Sequence, residues 1–525
     1  YHRFGKHEDT SATDTAALHC DLLVIGGGIN GVGIARDAAG RGLKVVLCEK
    51  DDLAAHTSSA SSKLIHGGLR YLEYYEFGLV RKALQEREVL MRMAPHLISP
   101  RRFIMPHRPQ LRPRWMIRAG LFLYDHLAKR ELLPPSEAVR LAAHVTGRVL
   151  KKEWQYAFAY SDAWVDDARL VVLNALSAAE LGATVLCHTR CQDLRRQEQH
   201  WIATLQADAI GGGNAMEVKA RAVVNASGSW AAELQHRFSP DLPAKQLRLV
   251  QGSHIVVKRL FEHDYAYIFQ NADGRIVFAL PYEQNFTLIG TTDVEFSADP
   301  NRLRISDAEI TYLCELCNTY FERQISAADV VWSYSGVRPL VDDGKADAKA
   351  ITRDYRFDLD QNGAPLLHIF GGKITTYRRL AEQAVDILEP LLGGRHGAWS
   401  DRAVLPGGDL ICDVPDNRNI LQQDQFLRQC EQYYAFLPRD ILVRYVRLYG
   451  SRVQLLIGER QCIEEMGAEV VPGLYAAEIS YLRQYEFARC AEDILWRRTK
   501  LGLHLPASAS AMLDAWLAQH SLSQA

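Results

Sequence analysis

The chain has 525 residues, 48% of them hydrophobic, and a formal net charge of -2. That length outgrows one ordinary core, so two or three domains are expected, and plentiful apolar and aromatic residues exclude global disorder. The neutral balance argues against a nucleic-acid partner, which calls for a clear basic excess.

Residues 1–20 carry no apolar signal-peptide core. The opening on Tyr1 rather than Met leads us to expect a processed, tagged or incomplete end, which is left out of the fold reading. Residues 21–25 are a short apolar run ending in glycines and predict a buried strand. Gly26-Gly27-Gly28-Ile29-Asn30-Gly31 follows at once, then a helix over residues 32–40 and a second strand over 44–49. The roles are specific. Gly26 permits the tight turn, Gly28 lets backbone approach a pyrophosphate, and Gly31 lets the helix pack on the strand. The helix N-terminus offers free N–H groups to phosphates, and Glu49 is placed to accept from ribose hydroxyls. The turn reads as dinucleotide-binding without separating FAD from NAD.

Thr57-Ser58-Ser59-Ala60-Ser61-Ser62-Lys63 is a hydroxyl-rich stretch; alone, it reads as a solvated loop. Residues 101–130 carry eight Arg or Lys against the single acid Asp125, interleaved with Trp115, Met116, Ile117, Leu121, Phe122, Leu123 and Tyr124. That pattern fits a helix in the headgroup plane of an anionic bilayer, and equally a core helix with basic solvent positions. No segment has the roughly 20 apolar residues of a transmembrane helix. Residues 222–228 form another strand ending in a small-residue turn, Asn225-Ala226-Ser227-Gly228, able to approach the same nucleotide. Residues 251–257 and 288–293 read as strands running into polar turns.

Ten cysteines are scattered along the chain and form no disulfide framework, which points to a reducing compartment. Cys314 and Cys317 make the one CxxC; it sits in a helical pattern without a second pair at metal spacing, so no metal site is expected. After about residue 388 the character changes. Leu405-Pro406-Gly407-Gly408 looks like a linker, and residues 438–450 and 476–502 have helical spacing, predicting a helical C-terminal domain. The pair Arg497-Arg498 has the bland reading of a salt-bridged or dimer face.

Five blocks then fall in a recognisable order: Gly26 to Gly31, Thr57 to Lys63, His66-Gly67-Gly68-Leu69-Arg70-Tyr71-Leu72, Ser335-Gly336-Val337-Arg338-Pro339-Leu340 and Phe370-Gly371-Gly372-Lys373-Ile374-Thr375-Thr376-Tyr377. With them the sequence closely resembles the FAD-dependent, respiratory sn-glycerol-3-phosphate dehydrogenases of bacteria, from about residue 21 to about 505. One small departure is Ser227, where that family more often has Thr; a hydroxyl is kept.

The resemblance implies an α/β plus α+β architecture. A Rossmann-like FAD-binding domain of the D-amino-acid-oxidase-like type is expected over 18–95, 160–245 and 335–388. A substrate domain with an antiparallel sheet is expected over 96–159 and 246–334, and the helical domain over 389–525. It implies oxidation of sn-glycerol 3-phosphate to dihydroxyacetone phosphate by hydride transfer to FAD, with electrons passing to a membrane quinone. The corresponding location is cytoplasmic, peripheral on the inner face of the cell membrane, with room for a homodimer. Rival readings are an oxidase that reduces oxygen to peroxide, an FAD amine oxidase on the same fold, and a flavin-bound regulator without turnover.

Site residues follow partly from residue chemistry and partly from the resemblance. Gly26, Gly28, Ile29, Asn30, Gly31, Glu49, Thr57, Ser58, Ser59, Ser61, Ser62, Lys63, Leu64, His66, Gly67, Gly68, Asn225, Ala226, Gly228, Gly372, Lys373, Thr375 and Thr376 are expected at the cofactor. His66 is a candidate general base, since imidazole titrates near neutrality; taken alone it reads rather as a core histidine. The resemblance puts Arg70, Arg338 and Lys373 at the substrate in catalytic positions, with Tyr71, Thr291 and Arg353 as further substrate contacts and Thr292 second-rank. A guanidinium can grip an alkoxide or phosphate in fork geometry, and several cations suit a phosphorylated substrate better than an amine.

Overall fold

The computed structural model describes residues 17–108, 113–243, 245–271, 274–341, 354–394, 396–411 and 422–520. The apolar run at the N-terminus becomes strand Leu18–Ile25, centred in a sheet of order Arg356–Asp360, Leu366–Phe370, Ala215–Asn225, Leu18–Ile25, Val45–Cys48, Thr184–Leu186. The last five run parallel. Side chains of a strand alternate faces. Leu22 and Val24 pack against helices Ile29–Gly40, Asp167–Glu180 and Tyr377–Leu392, while Leu23 and Ile25 pack with Trp201 and Leu205 of the antiparallel hairpin Thr189–Gln197 and His200–Ala207. Both faces are covered over Leu22 to Ile25, which is why that half of the strand is a continuous apolar run.

The second sheet has the order Val294–Phe296, Leu247–Lys258, Phe286–Gly290, Ile276–Tyr282, Ala266–Gln270, Ile98–His107, Tyr156–Val165, Leu64–Ile65. Its neighbours are antiparallel except Ala266–Gln270 with Ile98–His107. Strand Val330–Val341 pairs along Leu247–Lys258, so the Arg338 segment belongs to this sheet and brings Gly336 opposite Gly252. Helix Asp307–Tyr320 packs behind it and buries Cys314 and Cys317. Burial pushes the Cys317 thiol well up, so it stays protonated.

Beyond residue 389 the chain is mainly helical, with its own core around Tyr445, Tyr449, Leu482 and Leu513. Two local expectations change. Residues 476–502 are not one helix: Ala476–Tyr485 ends where Phe487 takes a positive φ of 61°, and a π-helix, Asp493–Arg498, starts after the Asp493 carboxylate has accepted the N–H groups of Arg489 and Cys490. Residues 405–408 are no loose linker. Leu405 is fully buried, its N–H donates to Met93 O at 2.8 Å, and a Cβ on Gly407 would lie 2.3 Å from Tyr449 O. Arg497 and Arg498 are buried and salt-bridged, both to Asp52, three residues beyond Glu49.

Candidate functional site

The glycine turn links the first strand to helix Ile29–Gly40. Gly26 has φ +117°, and a Cβ there would lie 2.6 Å from Ala226 O. A Cβ on Gly31 would lie 1.9 Å from Gly26 O, so helix and turn touch only because neither residue has a side chain. The helix begins at Gly28 with no side-chain cap, leaving its dipole and first N–H groups facing outward. Ser58 Oγ accepts from Ile29 N at 2.9 Å, which puts a hydroxyl oxygen where a phosphate oxygen would dock. Glu49 is buried at the end of the second strand, its carboxylate accepting from Gly27 N at 2.6 Å and Asp51 N at 3.0 Å. Burial raises its pKa while these bonds pull the other way. Asn30 donates to Gly371 O, and its buried Oδ1 has no hydrogen-bond partner. A glycine cradle, an uncapped helix start, a buried acid and an orphaned amide oxygen together fit a dinucleotide.

This turn opens onto a cavity of about 390 Å³ between the two sheets. Of the expected residues, Gly28, Ile29, Asn30, Thr57, Ser58, Ser61, Ser62, Leu64, His66, Gly68, Ala226, Gly228, Gly372, Lys373 and Thr375 line it, and so do Arg70, Tyr71, Thr291 and Arg338. Segments more than 300 residues apart in sequence thus converge. Arg338 Nη1 donates to Asp293 Oδ1 at 2.5 Å and Nη2 reaches Thr291 Oγ1 at 3.3 Å, which orients the guanidinium across Gly252; a Cβ there would lie 2.7 Å from Nη2. Lys373 Nζ stands 3.9 Å from the ring centroid of Tyr71, a cation–π contact that holds the ammonium at the wall. His66 N–H donates to Thr375 Oγ1 at 3.3 Å, joining the His66 turn to the Lys373 turn.

Other expected contacts lie behind the wall. Lys63 is buried against Asp167 at 2.8 Å and also donates to Ser59 O, so its ammonium is committed to the core rather than to a cofactor. Asn225 is buried too: Oδ1 accepts from Ser227 Oγ at 2.6 Å, and Nδ2 donates to Ala231 O and His368, so it shapes the turn from behind. Ser59 donates to His56 O, Gly67 is buried, and Thr376 is buried at the start of helix Tyr377–Leu392. Gly26, Gly31 and Glu49 shape the turn without lining the cavity. Arg353, and Arg112 of the basic-aromatic segment, lie outside the described residues.

One cavity residue had been read only as part of a strand. His254 is buried on Leu247–Lys258, its Nε2 2.9 Å from Ser62 Oγ and its ring stacked on Tyr334. Burial, with Lys63 and Arg338 near it, holds its pKa well below the usual imidazole range, so it is neutral at neutral pH. Its position beside a strand running into the Thr291 turn was the only signal available. Glu309 organises that turn from below. Its carboxylate accepts from Gln251, Ser253, Thr292 and Ser306, and these bonds keep it ionised below its usual range despite burial.

The basic-aromatic segment divides: residues 101–107, with Arg101 and Arg102, belong to strand Ile98–His107, and Arg114–His126 forms a surface helix in which only Leu121, Tyr124 and Asp125 are buried. Trp115 is 71% exposed, Phe122 58% and Tyr75, on a neighbouring turn, 80%. Lys129 is largely exposed, with Glu131 at 3.8 Å, and the less exposed Arg130 pairs with Asp125 at 3.3 Å. Among the described residues no helix is long and apolar enough to cross a membrane.

Comparison with known proteins places these features in context. Residues 21–378 match the family of FAD-dependent oxidoreductases. The chain is 51% identical over 502 residues to a glycerol-3-phosphate dehydrogenase of Pseudomonas aeruginosa, covering 95% of this chain and 94% of that one. It is 47% identical over 499 residues to a D-erythritol 1-phosphate dehydrogenase of Brucella abortus, covering 95% and 97%. Among solved structures, a glycerol-3-phosphate dehydrogenase from Bacillus halodurans in complex with FAD superimposes with a TM-score of 0.74 at 26% identity, covering 95% of this chain and 90% of that one.

Proposed function

Because the chain belongs to the FAD-dependent oxidoreductases, and among them to the glycerol-3-phosphate dehydrogenases, we propose that it oxidises sn-glycerol 3-phosphate at C2 to dihydroxyacetone phosphate and passes the electrons to a membrane quinone. The observation that carries this reading is the gathering of Arg70, Arg338 and Lys373 on one cavity that also opens at the dinucleotide turn. Three cations suit a phosphate dianion and an oxygen that gains negative charge as its proton leaves.

The chain's own residues divide the work. The turn from Gly26 to Gly31, Glu49 and the hydroxyls of Ser58 and Thr57 hold FAD, which when bound takes the hydride from C2. Arg70 and Lys373 grip the phosphate. Arg338, aimed by Asp293 and Thr291, stabilises the C2 oxygen as it becomes an alkoxide. His66 accepts the hydroxyl proton. His254, kept neutral by burial, has an imidazole free of charge to share that proton or to hydrogen-bond the substrate.

The electron acceptor is argued from the surface. Trp115, Phe122 and Tyr75 present apolar area beside Arg114 and Lys129, a combination that suits lodging at an anionic bilayer surface on the cytoplasmic side, within reach of a lipid-soluble quinone. A second substrate reading comes from the relative named for a four-carbon polyol phosphate.

The deciding experiment is anaerobic mixing of the holoenzyme with glycerol 3-phosphate, D-erythritol 1-phosphate or an amino acid, followed by reoxidation with a quinone analogue or oxygen. Rapid bleaching of the flavin by glycerol 3-phosphate and reoxidation by quinone is expected. No bleaching, preference for the four-carbon phosphate, or stoichiometric peroxide would each overturn part of the reading.

A further inference from the structure

We propose that Tyr124 is a positioning residue for the reaction: its hydroxyl oxygen, accepting one hydrogen bond from Gly67 N–H, holds the His66-Gly67-Gly68 turn in place, with Asp162 and Arg87 as its support. The proposal rests on the reading of this cavity as the flavin and substrate site.

Tyr124 is one of three buried residues on an otherwise exposed helix, and its side chain points inward to the catalytic turn. The Gly67 N–H donates to Tyr124 Oη at 2.8 Å. A backbone N–H can only donate, so the phenol oxygen is the acceptor there, and its single proton goes to Asp162, whose oxygens both lie 2.8 Å away. Asp162 is neutralised in turn by Arg87 Nη1 at 2.7 Å, and the same nitrogen donates to Ser161 O. The phenol, the Asp162 carboxylate and both Arg87 Nη atoms have partners, as a buried network favours, while Arg87 Nε has no hydrogen-bond partner. Burial and the Asp162 charge hold the phenol well above its usual pKa, so the donor persists at any working pH.

The phenol gives the turn its short hydrogen bond: Asp162 Oδ1 lies 3.4 Å from the same Gly67 N, beyond the usual N–H···O range, and the neighbouring His66 N–H donates to Thr375 Oγ1 at 3.3 Å. A Cβ on Gly67 would lie 2.5 Å from Leu84 Cδ2 and 2.7 Å from Tyr124 Oη, so the turn is seated directly on the phenol. His66, Gly68 and Arg70, on either side of Gly67, all line the cavity. Losing the bond therefore moves groups that face flavin and substrate, while the ring of Tyr124 still packs against Tyr160.

The test compares Tyr124→Phe with Leu121→Ala in the FAD-loaded enzyme. Leu121 is buried on the same helix, in the same apolar cluster as Tyr124, and its side chain has no polar atom with which to join the hydrogen-bonded network. Tyr124→Phe is expected to shift the visible spectrum of the bound flavin before any substrate is added. It should also slow flavin reduction at saturating glycerol 3-phosphate by about tenfold or more, roughly the effect of one misplaced contact. Its thermal midpoint should fall no further than that of Leu121→Ala, which should reduce at the wild-type rate. A wild-type spectrum and rate in Tyr124→Phe would overturn the proposal, as would an equal slowing in Leu121→Ala. If glycerol 3-phosphate does not reduce the wild-type enzyme, the substrate reading falls, and the spectral comparison alone still decides the positioning role.

Discussion

Arg338 and Asp293 form an ion pair inside the cavity, Nη1 to Oδ1 at 2.5 Å, with the arginine fork turned by Thr291 on its other side. A cation already paired keeps its orientation without a substrate, which is the preorganisation a developing alkoxide rewards. Arg338→Ala should lose turnover on the order of 100-fold, the scale for removing one such donor. Flavin content should be unchanged, because the cofactor turn lies elsewhere. Arg338→Lys should recover little, since an ammonium has no fork. Steady-state kinetics on flavin-loaded protein check this, and unaltered kinetics in Arg338→Ala would remove the residue from the site.

Gly31→Ala should strip the cofactor. Its Cβ would lie 1.9 Å from Gly26 O, a backbone atom that cannot rotate away, so the turn must shift as a whole. We expect FAD affinity to fall by at least about tenfold, a cost of about 1.4 kcal/mol, read as lost flavin absorbance after gel filtration. Full flavin occupancy would show that the turn yields where the geometry says it cannot.

Lys63 tests the difference between a cofactor contact and a core ion pair. It is 1% exposed, and Asp167 is fully buried beneath it. Lys63→Met leaves that carboxylate buried and unpaired, which costs about 3–5 kcal/mol. The double variant Lys63→Met/Asp167→Leu should regain much of the loss. Chemical denaturation of the four proteins measures the cycle; a Lys63→Met protein of wild-type stability but low flavin content would restore the cofactor role.

These cases show what a sequence displays and what it hides. Local rules sufficed for the glycine turn, because strand, turn, helix and acid are neighbours along the chain and each has its own signature. The cavity cations could be assembled only through the motif resemblance, since Arg70 and Arg338 meet across 268 positions. The hidden part is the set of polar residues whose protein partners lie far along the chain. Lys63 in a Ser-rich loop looks available until Asp167, 104 residues on, is found beneath it. Asn225 looks like a nucleotide contact until its amide is found spent on Ser227, Ala231 and His368. His254 and Tyr124 carry no spacing signal, because their neighbours are set by sheet order and helix docking.

The surface helix separates attachment from chemistry. Trp115→Glu and Phe122→Glu should reduce sedimentation with anionic vesicles while turnover with a soluble electron acceptor stays at the wild-type level. Lys129→Gln should weaken binding by about fivefold, or about 1 kcal/mol for one cation near the headgroups. Arg130→Gln should instead lower stability, because its guanidinium is tied to Asp125 twice, by the Nη1 ion pair with the carboxylate and by Nε donating to the backbone carbonyl at 3.0 Å. Vesicle binding unaffected by Trp115→Glu would move the contact surface elsewhere.

The acid limb of stability should carry the signature of His368. Its neighbour Asn225 is fixed in orientation, because Oδ1 accepts from Ser227 and Nδ2 donates to Ala231 O. The same Nδ2 meets His368 Nδ1 at 2.9 Å, so that nitrogen must accept and stay unprotonated, while Nε2 faces Ser239 Oγ at 3.1 Å. Burial accordingly holds the pKa down at about 4. An unfolded histidine titrates near 6.5. Between about pH 6.5 and 4 the unfolded chain therefore binds a proton that the native one refuses, and stability falls as pH falls, by up to about 1.4 kcal/mol per pH unit and about 3 kcal/mol in all. His96, buried and held at about 3, adds a second slope of the same sign. Replacing the imidazole in His368→Gln should lower stability at pH 7 yet flatten the decline between pH 6.5 and 4.5. Urea unfolding at half-unit steps measures both slopes, and parallel curves would mean that His368 is protonated in the native state.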